Sequence, residues 1–273
     1  MLTRPPLYAR LTWPEVARLV EEDRVCLIPV ATLEDHGHHL PIDADLRIVE
    51  EICRRAAEEA PDEVVLLPPI SHGYSPHHMD FPGPITIEWE TFTRYLVDVG
   101  SSLARHGFRR ILYLNGHGSN QNLVEMAARL VTVEHPEVVA GAAFYLSSPA
   151  GARAIEEVRE SDRGGMAHAC ELETSLYLAI DPDAVDMDLA VDEESYPEGQ
   201  HAWLDWSDGS LKVMPWWSSF SETGVLGRPT LATGEKGKAL LDAAVGECVA
   251  YVRELREKPL GRRRTPRLPG EGP

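Results

Sequence analysis

The stretch VCLIPVATLEDHGHHLPIDADLRIVEEICRRAAEEAPDEVVLLP, residues 25–68, decides the fold. It opens on one short apolar run, 25–30, and closes on another, 64–68. Between them, residues 46–60 place apolar side chains at helical spacing. A strand, an amphipathic helix and a second strand make a βαβ unit, and continuous apolar runs belong to strands buried on both faces. The pattern recurs downstream, with a helix over 88–106, the run RILYL (110–114), a helix over 121–134 and the run VVAGAAFYL (138–146). Upstream, Thr12-Trp13-Pro14-Glu15 is a capping box that opens a helix to about residue 22. A last helix is expected over 236–257. The chain therefore reads as α/β: a single-domain three-layer sandwich over residues 1–257 with a mostly parallel sheet. Its Pro-, Gly- and Arg-rich end, 258–273, reads as a flexible tail, and the run Arg262–Arg264 as part of that solvated tail.

In such sheets ligands bind beyond the carboxyl ends of the strands. The loops after the first three strands hold the densest polar chemistry in the chain: ATLEDHGHHLPIDAD, PISHGYSPHHMDFPGP and NGHGSN. Glu34 and His36 are two apart, so an extended segment points both to one side. A carboxylate beside an imidazole is half of a site for a borderline metal, and Asp45, beyond the turn at Pro41, can add a bridging carboxylate. In NGHG, two glycines permit a sharp turn that aims His117 at the sheet edge, and Asn120 suits the N-cap of the next helix. Residues 166–175, MAHACELETS, read as the beginning of a helix whose start His168 and Glu173 can straddle; Glu171 and Glu173 cannot both face the core, so one of them is expected to face solvent. Cys170 has no basic neighbour to activate it and reads as a buried small thiol.

The bulk properties agree with a folded domain: 273 residues, 43% hydrophobic and 26% charged. A net charge of -18 argues against a nucleic-acid or anionic-membrane partner, which would need a basic face. No window approaches the ~18–20 apolar residues of a membrane span, the first residues lack a signal-peptide apolar core, and the four cysteines have no CxxC spacing. A cytoplasmic location is expected on these signs. Residues 181–223 stand apart as an acidic, turn-rich region holding Trp203, Trp206, Trp216 and Trp217, a candidate pocket wall, lid or oligomer contact.

Five motifs, in order, resemble those of the creatininase (creatinine amidohydrolase) family. Residues 34–45 resemble its E-x-H-G-x-H-L-P-x-x-x-D signature, SPHHMDFPG its S-x-x-H-x-x-F-P-G segment, and NGHGSN its N-G-H-G-G-N loop. HACELETS is similar to its H-A-G-x-x-E-T-S element, and TGVLGRPTLATGEKG to its closing G-V-x-G-x-P-x-x-A-T-x-x-K-G. The resemblance implies metal ligands at Glu34, His36, Asp45, His117 and Glu173, with Asp45 bridging two divalent ions per chain (Zn, Mn or Fe). It places His168 beside the substrate for proton transfer and Ser75 in the lining of the substrate pocket; Glu173 is expected to share in catalysis, and His78, Gly118 and Ser119 to contact the substrate. It also implies a homo-oligomer, commonly a hexamer.

The expected activity is metal-dependent hydrolysis of a non-peptide C–N bond, in a cyclic amide or a formamide. The alternatives are ring opening of a cyclic ketone of the oxidised-inositol type, a peptidase of the mycofactocin-precursor type, or a non-catalytic metal-binding assembly protein. Two departures weigh against creatinine as substrate. Creatininase proper has an acidic ligand where this chain has Ser119, and a tryptophan near the HA-x-x-x-E-T-S element where this chain has Arg163-Gly164-Gly165. The density of His77, His78 and Asp80 suggests a small polar substrate.

Overall fold

The computed structural model describes residues 6–197, 199–207 and 209–263. Four parallel strands form the main sheet: β1 (Val25–Val30), β2 (Val64–Leu66), β3 (Arg110–Asn115) and β4 (Val139–Phe144), in the order β2-β1-β3-β4. Alternate side chains of these strands enter opposite layers, as period-2 geometry requires. Val25 and Leu27 join the layer built on α2 (Ala44–Glu59), α5 (Pro149–Val158), α6 (Glu171–Ile180) and α7 (Gly234–Glu257). Cys26, Ile28 and Val30 face α1 (Trp13–Glu21), α3 (Trp89–Arg105) and α4 (Gln121–Glu134). Burial on both sides explains why these strands read as unbroken apolar runs. Pro29 is tolerated inside β1 because its missing N–H falls on the β2 side, where that strand has already ended at Leu66. No helix among the described residues is long and apolar enough to cross a membrane.

Two expectations need correction. Residues 166–175 do not open a helix: Met166–His168 is strand β5, paired antiparallel with β6 (Leu226–Gly227), and α6 begins only at Glu171. The partner strand lies some sixty residues away, so no local periodicity betrays it. Nor does either glutamate face solvent. Glu173 turns toward the strand ends, while Glu171 turns the other way, accepts the backbone N–H groups of Glu160 and Ser161, and pairs with Lys236 at 2.7 Å. Helix α5 went unassigned from sequence, although Ser148 caps it and Pro149 opens it. Helix α7 stops at Glu257. Of the expected tail, 264–273, including Arg264, lie outside the described residues, as do Glu198 and Asp208 of the tryptophan-rich region.

The loops beyond β1, β2 and β3 are tied together by one side chain. Asn120 sits at the N-cap position of α4 but bonds across the loops rather than to its own helix. Its Oδ1 accepts the Tyr74 N–H, and its Nδ2 donates to the Ala31 carbonyl.

Candidate metal centre

Glu34 and His36 lie in the loop after β1, Asp45 in the first turn of α2, His117 just beyond β3, and Glu173 in the first turn of α6. Local chemistry delivers each one. The Glu34 N–H donates to the Ile42 carbonyl, closing the loop on itself. Asn115 holds the NGH turn, its amide donating to the His117 carbonyl and its Oδ1 accepting the His117 N–H. Gly116 allows the close approach: a Cβ there would stand 3.0 Å from the Asp45 carbonyl oxygen and 2.9 Å from Val49. Between β5 and α6 the chain turns through Ala169 at φ 48°, a left-handed conformation that strains a non-glycine residue.

The five side chains converge. His117 Nδ1 is 3.2 Å from Glu34 Oε2 and 3.1 Å from Asp45 Oδ2. His36 Nε2 is 3.4 Å from the other Asp45 oxygen and 4.0 Å from Glu173 Oε2. Two triads result, Glu34–Asp45–His117 and His36–Asp45–Glu173, sharing the two oxygens of Asp45. Ligand atoms about 2.0–2.2 Å from one tetrahedral ion stand roughly 3.4 Å apart, which is the spacing within the triads. His36 Nε2 and Asp45 Oδ2 are buried and lack any hydrogen-bond partner, an arrangement that a cation would satisfy. The residues therefore fit divalent metal.

Electrostatics agree. Three buried carboxylates meet two imidazoles, and burial and mutual charge shift His36, Asp45, His117 and Glu173. Burial works against a charged His36, but Asp45, with Glu173 and Glu34 behind it, holds it up at about 10. His117 also stands at about 10, burial being outweighed by Glu34 and Asp45. Burial, reinforced by Asp45 and Glu34, pushes Glu173 up to about 7. Burial would raise Asp45 as well, yet the imidazoles of His117 and His36 beside it hold it well below the usual range.

His168, at the end of β5, donates its Nε2 proton to the Asp35 carbonyl at 2.7 Å, leaving Nδ1 3.7 Å from Glu34 Oε1. His78 donates from Nδ1 to the Asp35 carboxylate at 2.7 Å. Burial holds both rings well below the usual imidazole range, hence neutral. Ser75 does not face a substrate. It is fully buried beneath the cluster, and its hydroxyl donates to Glu34 Oε2 at 2.6 Å.

The cluster floors a cavity of about 380 Å³ that His78, Gly118 and Ser119 border. Ser119, in the place of creatininase's acidic ligand, bonds through Oγ to His77 Nε2 at 3.0 Å. Asp80 is exposed and takes a hydrogen bond from Ser218, so it adds nothing to the cavity. From the tryptophan-rich region Trp206 and Trp217 wall the cavity, and Trp217 stacks on His78 at 4.9 Å. Sequence reasoning did not single out Phe144, Leu146, Asp205 or Met214, which also border it. For Phe144 a signal existed, its place at the carboxyl end of β4. The others approach only through tertiary packing.

The family model described as creatininase, creatinine amidohydrolase, matches residues 9–252. A mycofactocin precursor peptide peptidase of Mycobacterium tuberculosis is 32% identical over 94% of this chain and 96% of its own length. A creatinine amidohydrolase of Pseudomonas putida is 29% identical over 93% and 98%. A solved mutant creatininase of Zn-Zn type superposes with a TM-score of 0.76 at 28% identity, covering 92% of this chain and 98% of that one. With the family's motifs brought together around one buried cluster, the chain belongs to the creatininase family of metal-dependent hydrolases.

Proposed function

We propose that the protein hydrolyses a C–N bond of a small amide, with two divalent ions held by Glu34, His36, Asp45, His117 and Glu173. The observation that carries this reading is Asp45, whose two oxygens face two separate donor sets on the floor of a cavity. Divalent ions in such a set supply Lewis acidity, acidifying water and polarising an amide carbonyl. The two-His, three-carboxylate donor set suits Zn, Mn or Fe.

The chain's own residues do the rest. Ser75 fixes the orientation of the Glu34 carboxylate through Oε2. His168 keeps its Nε2 proton on the Asp35 carbonyl, so Nδ1 is the atom free to take a proton from the attacking water and pass it to the departing nitrogen. Trp217 lies edge-on to His168 at 5.0 Å and keeps solvent from that exchange. A peptidase reading of the same site is favoured by the mycobacterial relative. The exposed side chains Leu211, Val213, Met214 and Trp216 support a contact between copies of the chain in a homo-oligomer.

The test combines metal analysis with hydrolysis assays on lactams, formamides, simple amides, dipeptides and cyclic ketones. Two ions per chain and turnover of the first three groups are expected. His168→Ala should keep its metal and fold while turnover falls by roughly 10²–10⁴-fold. Failure to retain metal under saturating conditions, or unchanged turnover of the variant, would overturn the mechanism.

A further inference from the structure

The cavity has two unlike halves. The floor is the carboxylate and imidazole cluster, and the facing wall is apolar, with Phe144 at the end of β4 and Leu146 just beyond it joined by Leu204, Trp206, Met214 and Trp217. The wall is rigidly built: Trp206 packs 5.1 Å from both Phe144 and Tyr145, and its Nε1 donates to the Leu146 carbonyl. No Lys or Arg occurs among the described lining residues. Among the described residues the one carboxylate on the upper wall, Asp205, is paired with Arg159 through both oxygens, at 2.7 and 2.9 Å. Three of the neutral polar side chains, Gln121, Ser147 and Ser119, are already engaged. Gln121 Nε2 donates to Glu125, its Oε1 accepts from Asn115, Ser147 donates to the Phe144 carbonyl, and Ser119 pairs with His77. A remote charge of either sign on the substrate would thus be desolvated without a partner, at large cost. A planar apolar group would find aromatic faces.

We infer that the substrate is an amide whose non-reacting part is an uncharged aromatic or bulky apolar group, seated against Phe144, Leu204, Trp206 and Trp217. The inference rests on the amide-hydrolase reading only for the scissile bond. It replaces the small polar substrate suggested by the His77–Asp80 loop, because Asp80 is exposed and bonded to Ser218 and His77 is bound to Ser119.

The test titrates the metal-loaded protein by calorimetry with four probes: phenylacetamide, acetamide, and phenylacetamide carrying a 4-carboxy or a 4-aminomethyl group. Phenylacetamide should bind about 30-fold tighter than acetamide, as burial of a phenyl ring predicts, and each charged analogue should lose most of that gain. Trp206→Ala should abolish the preference with metal content unchanged. In case that variant fails to fold, Met214→Lys, at a position 53% exposed, should shift the preference toward the 4-carboxy probe. Equal or tighter binding of a charged probe or of acetamide overturns the inference, as does no measurable binding by any probe. Preferential binding of phenylacetamide without hydrolysis would sink the hydrolase reading and leave this assignment standing. Hydrolysis of small amides without the preference would do the reverse.

Discussion

Arg159→Ala probes how the tryptophan wall is held over the metal cluster. Arg159 meets Asp205 in a two-pronged pair, and its remaining N–H groups donate to the Ser161 and Asp162 carbonyls at 2.8 Å each. Asp205 is buried and Arg159 half-buried, with side chains 3% and 12% exposed. Removing the guanidinium strands a buried carboxylate, a perturbation that costs ~3–5 kcal/mol when nothing compensates it. Here the Gly164 and Met166 N–H groups still donate to Asp205 Oδ1, which lowers the expected loss to about 2–4 kcal/mol. For a chain of this size that is a fall in melting temperature of roughly 5–12 °C. The assay is urea and thermal unfolding of Arg159→Ala, Asp205→Asn and the double variant. If the cost is the uncompensated charge, Asp205→Asn added to Arg159→Ala should recover about 1–3 kcal/mol, since the amide keeps an oxygen for both N–H groups and carries no charge. Hydrolysis by the single variant should show a raised KM with a smaller change in kcat, because Trp206 follows Asp205 directly in the wall. A loss below ~1 kcal/mol, or a double variant no more stable than Arg159→Ala, would refute the reasoning.

Three further outcomes are expected. Asp45→Ala removes the shared carboxylate and should leave at most one ion per chain by elemental analysis; two ions in that variant would contradict a bridging role. Gly118→Ala adds a methyl where nothing lies within 4 Å, so the variant should melt like the parent while the amides it accepts change. An altered melting temperature would show that the residue is structural. Gly237→Ala would place a Cβ 1.7 Å from the Ser175 carbonyl oxygen, so α6 must move away from α7 and take Glu173 with it. Unfolding should show a loss of at least ~1–3 kcal/mol, with weaker metal retention, and a parent-like variant would contradict the packing.

Strand, helix and loop order was legible because it is local. Residues 25–68 carry their own periodicities, and the chain itself holds Glu34, His36 and Asp45 within twelve residues after a strand. The rule that loops at the carboxyl ends of parallel strands share one edge then joined His117 to them. Glu173 and His168 were reached through family motifs, and the local reading of their segment as the beginning of a helix gave way to a strand, a left-handed residue and a helix that opens only at Glu171. What only the tertiary structure decided lies in contacts between residues far apart in the chain. Ser75 reaches Glu34 across 41 residues, so a residue expected at the substrate instead supports a carboxylate of the candidate metal centre. Asp35 is bonded by His78 and, across 133 residues, by His168. The apolar wall of Phe144, Trp206 and Trp217 comes from segments with no common period or motif. Pattern along a sequence reports which face of an element is buried, but what lies against that face depends on how distant elements pack, and packing has no local signature.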